Sequence, residues 1–235
     1  PRDTASKLSA RKAILPSVVQ SEDVDKLLVL SLLPASRKQE LRLILPVMVE
    51  AAAKLKGEIA KENRRIVFVV STMALGDRAL GRVQKECESK GLAIGRDVVL
   101  WGGESRLAME AADACLVKSG SSSLEAALVG VPMVTTYRIN RVDAWVARKV
   151  ARFRPKHISL VNLVIGREAV PEFVQQGADP ELIAQALKRL LPVYSSDITP
   201  EAAKQVQVFK ELRKLLLGGG AARRAAKRVL KEISN

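Results

Sequence analysis

The chain has 235 residues, of which 48% are apolar, with 39 lysine or arginine residues against 25 aspartate or glutamate residues and a formal net charge of +14. This length and apolar content suffice for one large globular domain or two small ones. So large a positive surplus favours an anionic partner such as phosphate, a lipid head group or nucleic acid. Aromatic residues make up only 3% of the chain, which argues against a platform for stacking single-stranded nucleic acid.

Membrane, export and metal signals are weak in this sequence. No apolar stretch approaches the roughly 18 residues that cross a bilayer, and the first residues lack the apolar core of a signal peptide. One histidine and two cysteines, Cys87 and Cys115, show no zinc-ligand spacing, so we predict no metal site and no cofactor. The chain opens with Pro1 rather than methionine. We therefore expect it to be a piece of a longer protein.

Short apolar runs alternate with longer amphipathic segments, which is the pattern of a parallel sheet flanked by helices. The apolar runs predict strands at residues 27–33, 66–71, 98–101, 114–117, 132–136 and 157–160. The amphipathic segments predict helices near residues 38–61, 76–90, 106–112, 122–129, 141–152 and 180–191, then two more around Gly218, Gly219 and Gly220. The predicted fold is α/β, with an open, doubly wound parallel sheet. We divide the chain into a linker or domain remnant (1–25), a Rossmann-like domain (26–192) and C-terminal helices (193–235).

The segment KSGSSSLEAALVGVPM places a serine-rich turn between a predicted strand and a predicted helix. Gly120 permits a tight turn, and the amides of residues 121–123 then lie in the first helical turn, where amides bind anions. Doubly wound sheets bind ligands beyond the carboxyl ends of their strands, and this turn falls at such an end. The structural alternative is a capping box, in which Ser122 and Glu125 satisfy these amides without a ligand.

Three separated segments carry a more specific signal: LLVLSLLPASRKQELRLILPVMVEAA, ADACLVKSGSSSLEAALVGVPMVTTYRIN and HISLVNLVIGREAVPEFVQ. Their patterns are close to L-L-P-G-S-R followed by E, to S-G-T-x-x-L-E with P-M-V-x-x-Y-R, and to S-L-P-N-L with G-R and a terminal Q. In order and spacing they resemble the C-terminal half of the bacterial lipid-A-disaccharide synthases, over about residues 27–190. Because three ordered motifs outweigh one turn, we favour the anion-binding interpretation over the capping box.

The resemblance implies a GT-B glycosyltransferase, in which two Rossmann-like domains face each other and this chain is the half that binds the UDP-sugar donor. The implied reaction transfers 2,3-diacylglucosamine from UDP to lipid X (2,3-diacylglucosamine 1-phosphate) and releases UDP. Helix amides and basic side chains, without a metal ion, would stabilise the departing diphosphate. The general base would lie in the N-terminal acceptor domain, so we expect the isolated chain to be inactive.

The resemblance also implies site residues. The catalytic candidates are Arg37, as a phosphate contact, and Asn162, as a donor and acceptor to sugar hydroxyls. Glu125 would accept hydrogen bonds from ribose hydroxyls, and Trp101 with Gly102 would lie near the uracil. The full set of substrate-binding candidates is Ser119, Gly120, Ser121, Ser122, Ser123, Glu125, Trp101, Gly102, Arg167 and Gln175. The structural alternatives are a solvated arginine, a buried loop asparagine, a helix cap and a core tryptophan.

Two positions depart from the patterns of these enzymes. Ala35 replaces a glycine, which would strain the turn if the turn needs a positive φ. Val161 replaces a proline, which removes a fixed φ and is expected to loosen the loop. His157 has no partner visible in the sequence, and we do not favour it as a general base. An inactive paralogue therefore stays an open interpretation.

Two basic segments, residues 147–157 and 221–231, carry much of the surplus charge. The predicted helix from Arg141 adds an apolar stripe with Trp145, a composition typical of interfacial helices, although packing on the sheet would also explain it. Because both implied substrates are acylated, we expect peripheral docking on an anionic membrane. The expected location is the cytoplasmic face of the inner membrane, or a plastid or mitochondrion in a eukaryote. A homodimer is left open.

Two other functions stay open. One is a GT-B enzyme that uses a UDP-sugar with a soluble acceptor, which would share the donor site. The other is a basic nucleic-acid-binding module without enzymatic activity, for which the charge is the signal. Because charge is generic and the three motifs are not, we expect no nucleic-acid partner.

Overall fold

The computed structural model describes residues 3–15, 27–35, 37–73, 75–140, 156–193 and 197–216, with isolated positions between 226 and 232. In these residues a six-stranded sheet has the order β3-β2-β1-β4-β5-β6, with every neighbouring pair parallel. The strands are β1 (Leu28–Leu33), β2 (Ile66–Ser71), β3 (Val98–Trp101), β4 (Ala114–Lys118), β5 (Met133–Tyr137) and β6 (Glu172–Val174). The predicted α/β fold with a doubly wound parallel sheet is confirmed.

Helices cover both faces of this sheet. They are α1 (Thr4–Ile14), α2 (Lys38–Lys61), α3 (Asp77–Ser89), α4 (Ser105–Ala111), α5 (Ser121–Val129), α6 (Leu160–Ile165), α7 (Pro180–Leu190) and α8 (Pro200–Leu216). Helices α2, α3 and α7 pack on one face, whereas α1, α4, α5 and α6 pack on the other with most of α8. In the described part of the chain, no helix combines the length and the apolar composition of a membrane span.

Strand β1 is buried along its whole length. Leu28, Leu30 and Leu32 belong to the core on the α2 side, whereas Val29 and Leu33 belong to the core on the α4 side. This alternation follows from the two-residue period of a strand. A parallel strand covered on both faces is mainly apolar, and this explains the run in which Ser31, which donates to the Ala108 carbonyl, is the one polar residue.

The sequence prediction failed around residue 160. The strand predicted at residues 157–160 is wrong, because Ser159 caps α6 and its side-chain oxygen accepts a hydrogen bond from the Asn162 amide. The sixth strand, β6, lies instead in a segment without a clear period. The helix predicted at 141–152 lies outside the described residues, as do most of the segments 147–157 and 221–231.

A buried ion pair fixes α1 to the sheet. Arg11 Nη2 lies 2.7 Å from Asp113 Oδ2, and both side chains are only 3% exposed. The Arg11 guanidinium also donates to the carbonyls of Ala111 and Leu27, both at 3.0 Å. Asp113 accepts from the Val29 amide at 2.7 Å. Helix α1 thereby joins the same folded unit as the sheet, although it falls in the segment 1–25 that the sequence analysis assigned to a linker or remnant. The three-part division of the chain stays a prediction.

We expect Asp113→Asn to lower the free energy of unfolding by about 3 kcal/mol, because it removes the buried carboxylate that pairs with Arg11 and accepts from the Val29 amide. Urea unfolding followed by circular dichroism measures this change. The control is Glu50→Gln, which breaks the exposed pair of Glu50 with Lys90 at 3.2 Å. That substitution should cost less than about 1 kcal/mol. Equal losses in the two variants would contradict the anchoring role of Asp113.

Candidate functional site

A cleft of about 130 Å³ opens at the carboxyl ends of β1 and β4. These two strands are neighbours, but β1 leads into α2 on one face of the sheet and β4 leads into α5 on the other. Doubly wound sheets bind their ligands at such a point of reversal. The residues that line the cleft are Leu33, Pro34, Ala35, Ser71, Leu75, Ser105, Lys118, Gly120, Ser121 and Ser122.

The first turn of α5 forms one wall of the cleft. The helix begins at Ser121, with Gly120 as its N-cap and no capping side chain. Among the described residues, the amides of Gly120, Ser121 and Ser122 have no hydrogen-bond acceptor, whereas the Ser123 amide donates to the Gly120 carbonyl at 3.1 Å. Three amides without partners at the positive end of a helix form a binding surface for an anion.

The capping box proposed as the structural alternative is not formed. Because Gly120 is the N-cap, Ser122 occupies the second helical position, and no side chain caps the helix. The Ser123 hydroxyl donates to the Gly120 carbonyl at 2.7 Å. Glu125 is exposed and lines a separate depression together with Arg106 and Arg213. The contact of Glu125 with a ribose stays a prediction.

A cation that the sequence analysis did not single out also lines the cleft. Lys118, the last residue of β4, is 20% exposed and its Nζ lies 3.1 Å from Glu40 Oε2. The same ammonium lies 5.4 Å from the centre of the Tyr137 ring. Burial, and after it the Glu40 charge, raises the pKa of Tyr137, while Arg37 opposes this shift. The position of Lys118 directly before the serine-rich turn was the signal that could have identified it.

Arg37 lies at the N-cap of α2, and its side chain is 82% exposed. Its Nη1 is 3.6 Å from Glu40 Oε1, so the Glu40 carboxylate lies near both Arg37 and Lys118. Ala35 is buried and has no positive φ, so the strain that the missing glycine could have caused is absent. Ser36 lies outside the described residues. The structure thus brings Arg37 near the rim of the cleft that the serine-rich turn lines.

Asn162 does not line this cleft. It is fully buried, and its side-chain amide donates to the Val170 carbonyl at 2.8 Å and to Glu172 Oε1 at 2.7 Å. Its side-chain oxygen accepts from the amides of Ala169 at 2.7 Å and Val170 at 3.0 Å. Two donated and two accepted bonds use the full capacity of an asparagine side chain. These contacts match the buried-asparagine alternative, and a catalytic role for Asn162 stays a prediction that they do not support. The adjacent Val161 is also fully buried.

Ser119 and Trp101 make internal contacts as well. The Ser119 hydroxyl donates to the Ile158 carbonyl at 2.9 Å, and Ser119 is buried. Trp101 Nε1 donates to the Glu104 carbonyl at 3.0 Å, and the ring packs against the core on the α4 side. Gly102 follows it and is exposed. Neither Trp101 nor Gly102 lines the cleft, so their contact with a uracil stays a prediction.

The remaining candidates are spread around the sheet. Arg167 pairs with Glu211 at 2.9 Å and does not line the cleft. Gln175 has a φ of 55°, a left-handed conformation that is rare for a residue with a side chain, and its carbonyl accepts from Arg138. His157 Nε2 is buried without a hydrogen-bond partner among the described residues. In that same part of the chain, no cluster of three or more potential metal ligands occurs.

We expect Gly120→Ala to lower the free energy of unfolding by about 1–3 kcal/mol, because φ is +156° there and a side chain strains that conformation. The added Cβ would meet no atom closer than 3.6 Å, so backbone strain alone is tested. The control, Gly57→Ala, lies in an open part of α2 and should stabilise the protein by up to about 1 kcal/mol. Thermal melting should therefore shift in opposite directions. A neutral Gly120→Ala would show that the turn tolerates a side chain.

Solved structures with low sequence identity share this fold. MurG from Acinetobacter baumannii matches with a TM-score of 0.50 and 14% identity over 91% of this chain and 53% of that chain. HepE from Anabaena, solved in complex with UDP and glucose, matches with a TM-score of 0.50 and 12% identity over 92% of this chain and 53% of that chain. These likenesses show a Rossmann-like α/β fold of the kind that GT-B glycosyltransferases contain.

Sequence comparison identifies the family. Lipid-A-disaccharide synthase from Prochlorococcus marinus is 34% identical over 201 residues, which cover 86% of this chain and 49% of the relative. The enzyme of the same name from Synechocystis sp. is 35% identical over 207 residues, or 88% of this chain and 49% of the relative. The chain thus spans about half the length of these curated relatives. The family model described as Lipid-A-disaccharide synthetase matches residues 15–218. The chain therefore belongs to the lipid-A-disaccharide synthase family of glycosyltransferases.

Proposed function

We propose that this chain is the C-terminal, donor-binding half of a lipid-A-disaccharide synthase. The complete enzyme would transfer 2,3-diacylglucosamine from its UDP donor to lipid X and release UDP. The observation that carries the proposal is that one cleft is lined both by Lys118 and by the first residues of α5, whose amides have no acceptor among the described residues. The family and the fold support it.

The chemistry of transfer explains why these groups suit the donor. The bond between the anomeric carbon and the diphosphate oxygen breaks, and negative charge grows on the departing UDP. Fixed donors and cations that already point to this position stabilise the charge without reorganising. The amides of Gly120, Ser121 and Ser122 would bind the phosphate oxygens, with Lys118 supplying a nearby full charge. Arg37, exposed on the rim, would reach the same diphosphate through its five donors.

The proposal also covers the acceptor substrate, the cellular location of the enzyme and the second half that binds the acceptor. Lipid X and the UDP-linked donor are both acylated, so the enzyme would work peripherally at a membrane, on the cytoplasmic face of the inner membrane in a bacterium. The general base would come from the acceptor-binding half. A GT-B enzyme with a soluble acceptor would share this cleft and differ in that other half.

Ser121→Pro tests the amide cradle directly. Proline is tolerated at the first position of a helix, so the substitution removes one partnerless N–H with little effect on folding. We expect the dissociation constant for UDP, measured by isothermal titration calorimetry, to rise about tenfold, as for the loss of one hydrogen bond to a charged group. Ser121→Ala keeps the amide and should change affinity less than about twofold. Equal affinities for both variants would remove the cradle from the proposed site.

The two-domain interpretation makes a separate prediction about turnover. The isolated chain should bind UDP weakly and form no disaccharide from the UDP donor and lipid X, because it lacks the proposed acceptor-binding half and its base. A radiolabelled-donor assay with thin-layer separation measures the product. A full-length relative of the family, assayed in parallel, shows that the substrates and detergent are competent. Product formed by the chain alone would contradict the assignment of acceptor binding and base to another half.

A further inference from the structure

Helices α2 and α3 carry, outside the cleft, a row of cations that form no ion pair with any residue the structure describes. We define the α2–α3 basic surface by its five members: Lys38, Arg42, Arg78, Arg82 and Lys85. All five are exposed, and none forms an ion pair with a described residue. By contrast, the lysines further along α2 are paired: Lys54 lies 3.2 Å from Glu181 and Lys56 lies 2.7 Å from Asp97. Among the described residues, the cations of α2 thus change from unpaired in its first turns to paired further along the helix.

Helical spacing places these cations in two parallel stripes. Lys38 and Arg42 are four residues apart on α2, and Arg78, Arg82 and Lys85 follow at four and three residues on α3, so each set shares one face of its helix. Between the stripes lies a groove of about 420 Å³. Its lining residues are Arg42, Leu45, Pro46, Arg82, Lys85, Glu86 and Ser89. Three cations against one carboxylate leave the groove positively charged.

The α2–α3 basic surface adjoins the mouth of the cleft. Ala35 and Leu75 line the cleft, and α2 and α3 begin only a few residues after them. Met73, in the loop that leads to α3, is 55% exposed. This exposed methionine precedes Arg78 by five residues in the sequence, and exposed apolar side chains accompany basic ones on surfaces that rest at the interface between lipid and water.

We propose that the α2–α3 basic surface docks this protein on an anionic phospholipid membrane, which lies beside the cleft rather than across its mouth, where the proposed acceptor-binding half belongs. The inference rests on the proposed function, because acylated substrates are what a membrane-docked cleft would receive. Lipid phosphates form a plane of separated anions, and two stripes of separated cations match that arrangement. Single-stranded nucleic acid is the weaker match, because no aromatic side chain lines the groove for base stacking.

Vesicle co-sedimentation tests the docking surface with the whole chain. The probes are vesicles of phosphatidylcholine alone and of phosphatidylcholine with about 30 mol% phosphatidylglycerol, which supplies the negative surface potential. We expect binding to the anionic vesicles only, weakening as salt rises. The triple variant Arg42→Gln, Arg82→Gln and Lys85→Gln should lower the partition coefficient by about tenfold or more, since each cation near the surface contributes.

A matched variant separates this surface from the total charge of the protein. Lys204, Lys210 and Lys214 on α8 are also exposed and form no ion pair with a described residue, so their replacement by glutamine removes the same charge elsewhere. We expect that variant to bind anionic vesicles within about twofold of the wild type. Equal losses in the two triple variants, or unchanged binding of the α2–α3 variant, would overturn the proposal. So would a loss in the α2–α3 variant that affects a DNA duplex and not the vesicles.

UDP titration of the same proteins distinguishes failure of the docking surface from failure of the proposed function. Retained UDP affinity in the α2–α3 variant, together with lost vesicle binding, supports docking as a separate role of this surface. A wild-type chain that binds vesicles as expected but never binds UDP would refute the donor site and leave the docking surface standing. A wild-type chain that ignores anionic vesicles would refute docking, whatever its UDP affinity.

Discussion

The topological switch point between the neighbouring strands β1 and β4 is the constraint on which the cleft depends. Adjacent parallel strands whose helices leave on the same face would be covered at their ends, whereas here α2 and α5 diverge to opposite faces. Because the two helices diverge, the first residues of α5 line a cleft and are not covered by α2. The divergence also brings Lys118 within 3.1 Å of Glu40, although the two lie on different strand-to-helix connections. One topological feature thus creates the space and assembles the charges around it.

Polar groups at this edge of the sheet divide into two classes. The side chains of Ser119, Ser123 and Asn162 are bonded within the protein and hold the loops in place. The amides of Gly120 and Ser122, in contrast, have no acceptor in the described structure, and they line the cleft. The first amides of any helix lack an intrahelical acceptor, so the informative feature is that these amides line a cleft together with a lysine side chain. A ligand-binding interpretation therefore rests on the backbone of the serine-rich turn rather than on its hydroxyl groups.

Five strands and the serine-rich turn were predictable because each is a local pattern: an apolar run for the strands, and glycine before serines for the turn. Helix α6 and strand β6 were not, since six and three residues are too short to show a period. Asn162 carried a family pattern, but its four internal bonds depend on residues up to ten positions away. Lys118 stands directly before the serine-rich turn in the sequence, but its contact with Glu40 depends on the folded sheet. Contacts between residues that are distant in the sequence cannot be predicted from local sequence patterns.

Glu40 has one more consequence for the cleft. Since its carboxylate lies close to both Lys118 and Arg37, an anion that binds these cations must compete with a counter-ion that belongs to the protein itself. A small ion such as inorganic phosphate contacts few donors, so replacing Glu40 beside the cations gives it little net binding free energy. A nucleotide diphosphate that spans the amides and the cations together gains more. In the proposed donor site, this carboxylate would favour ligands that make several contacts at once, which is selectivity through competition rather than through shape.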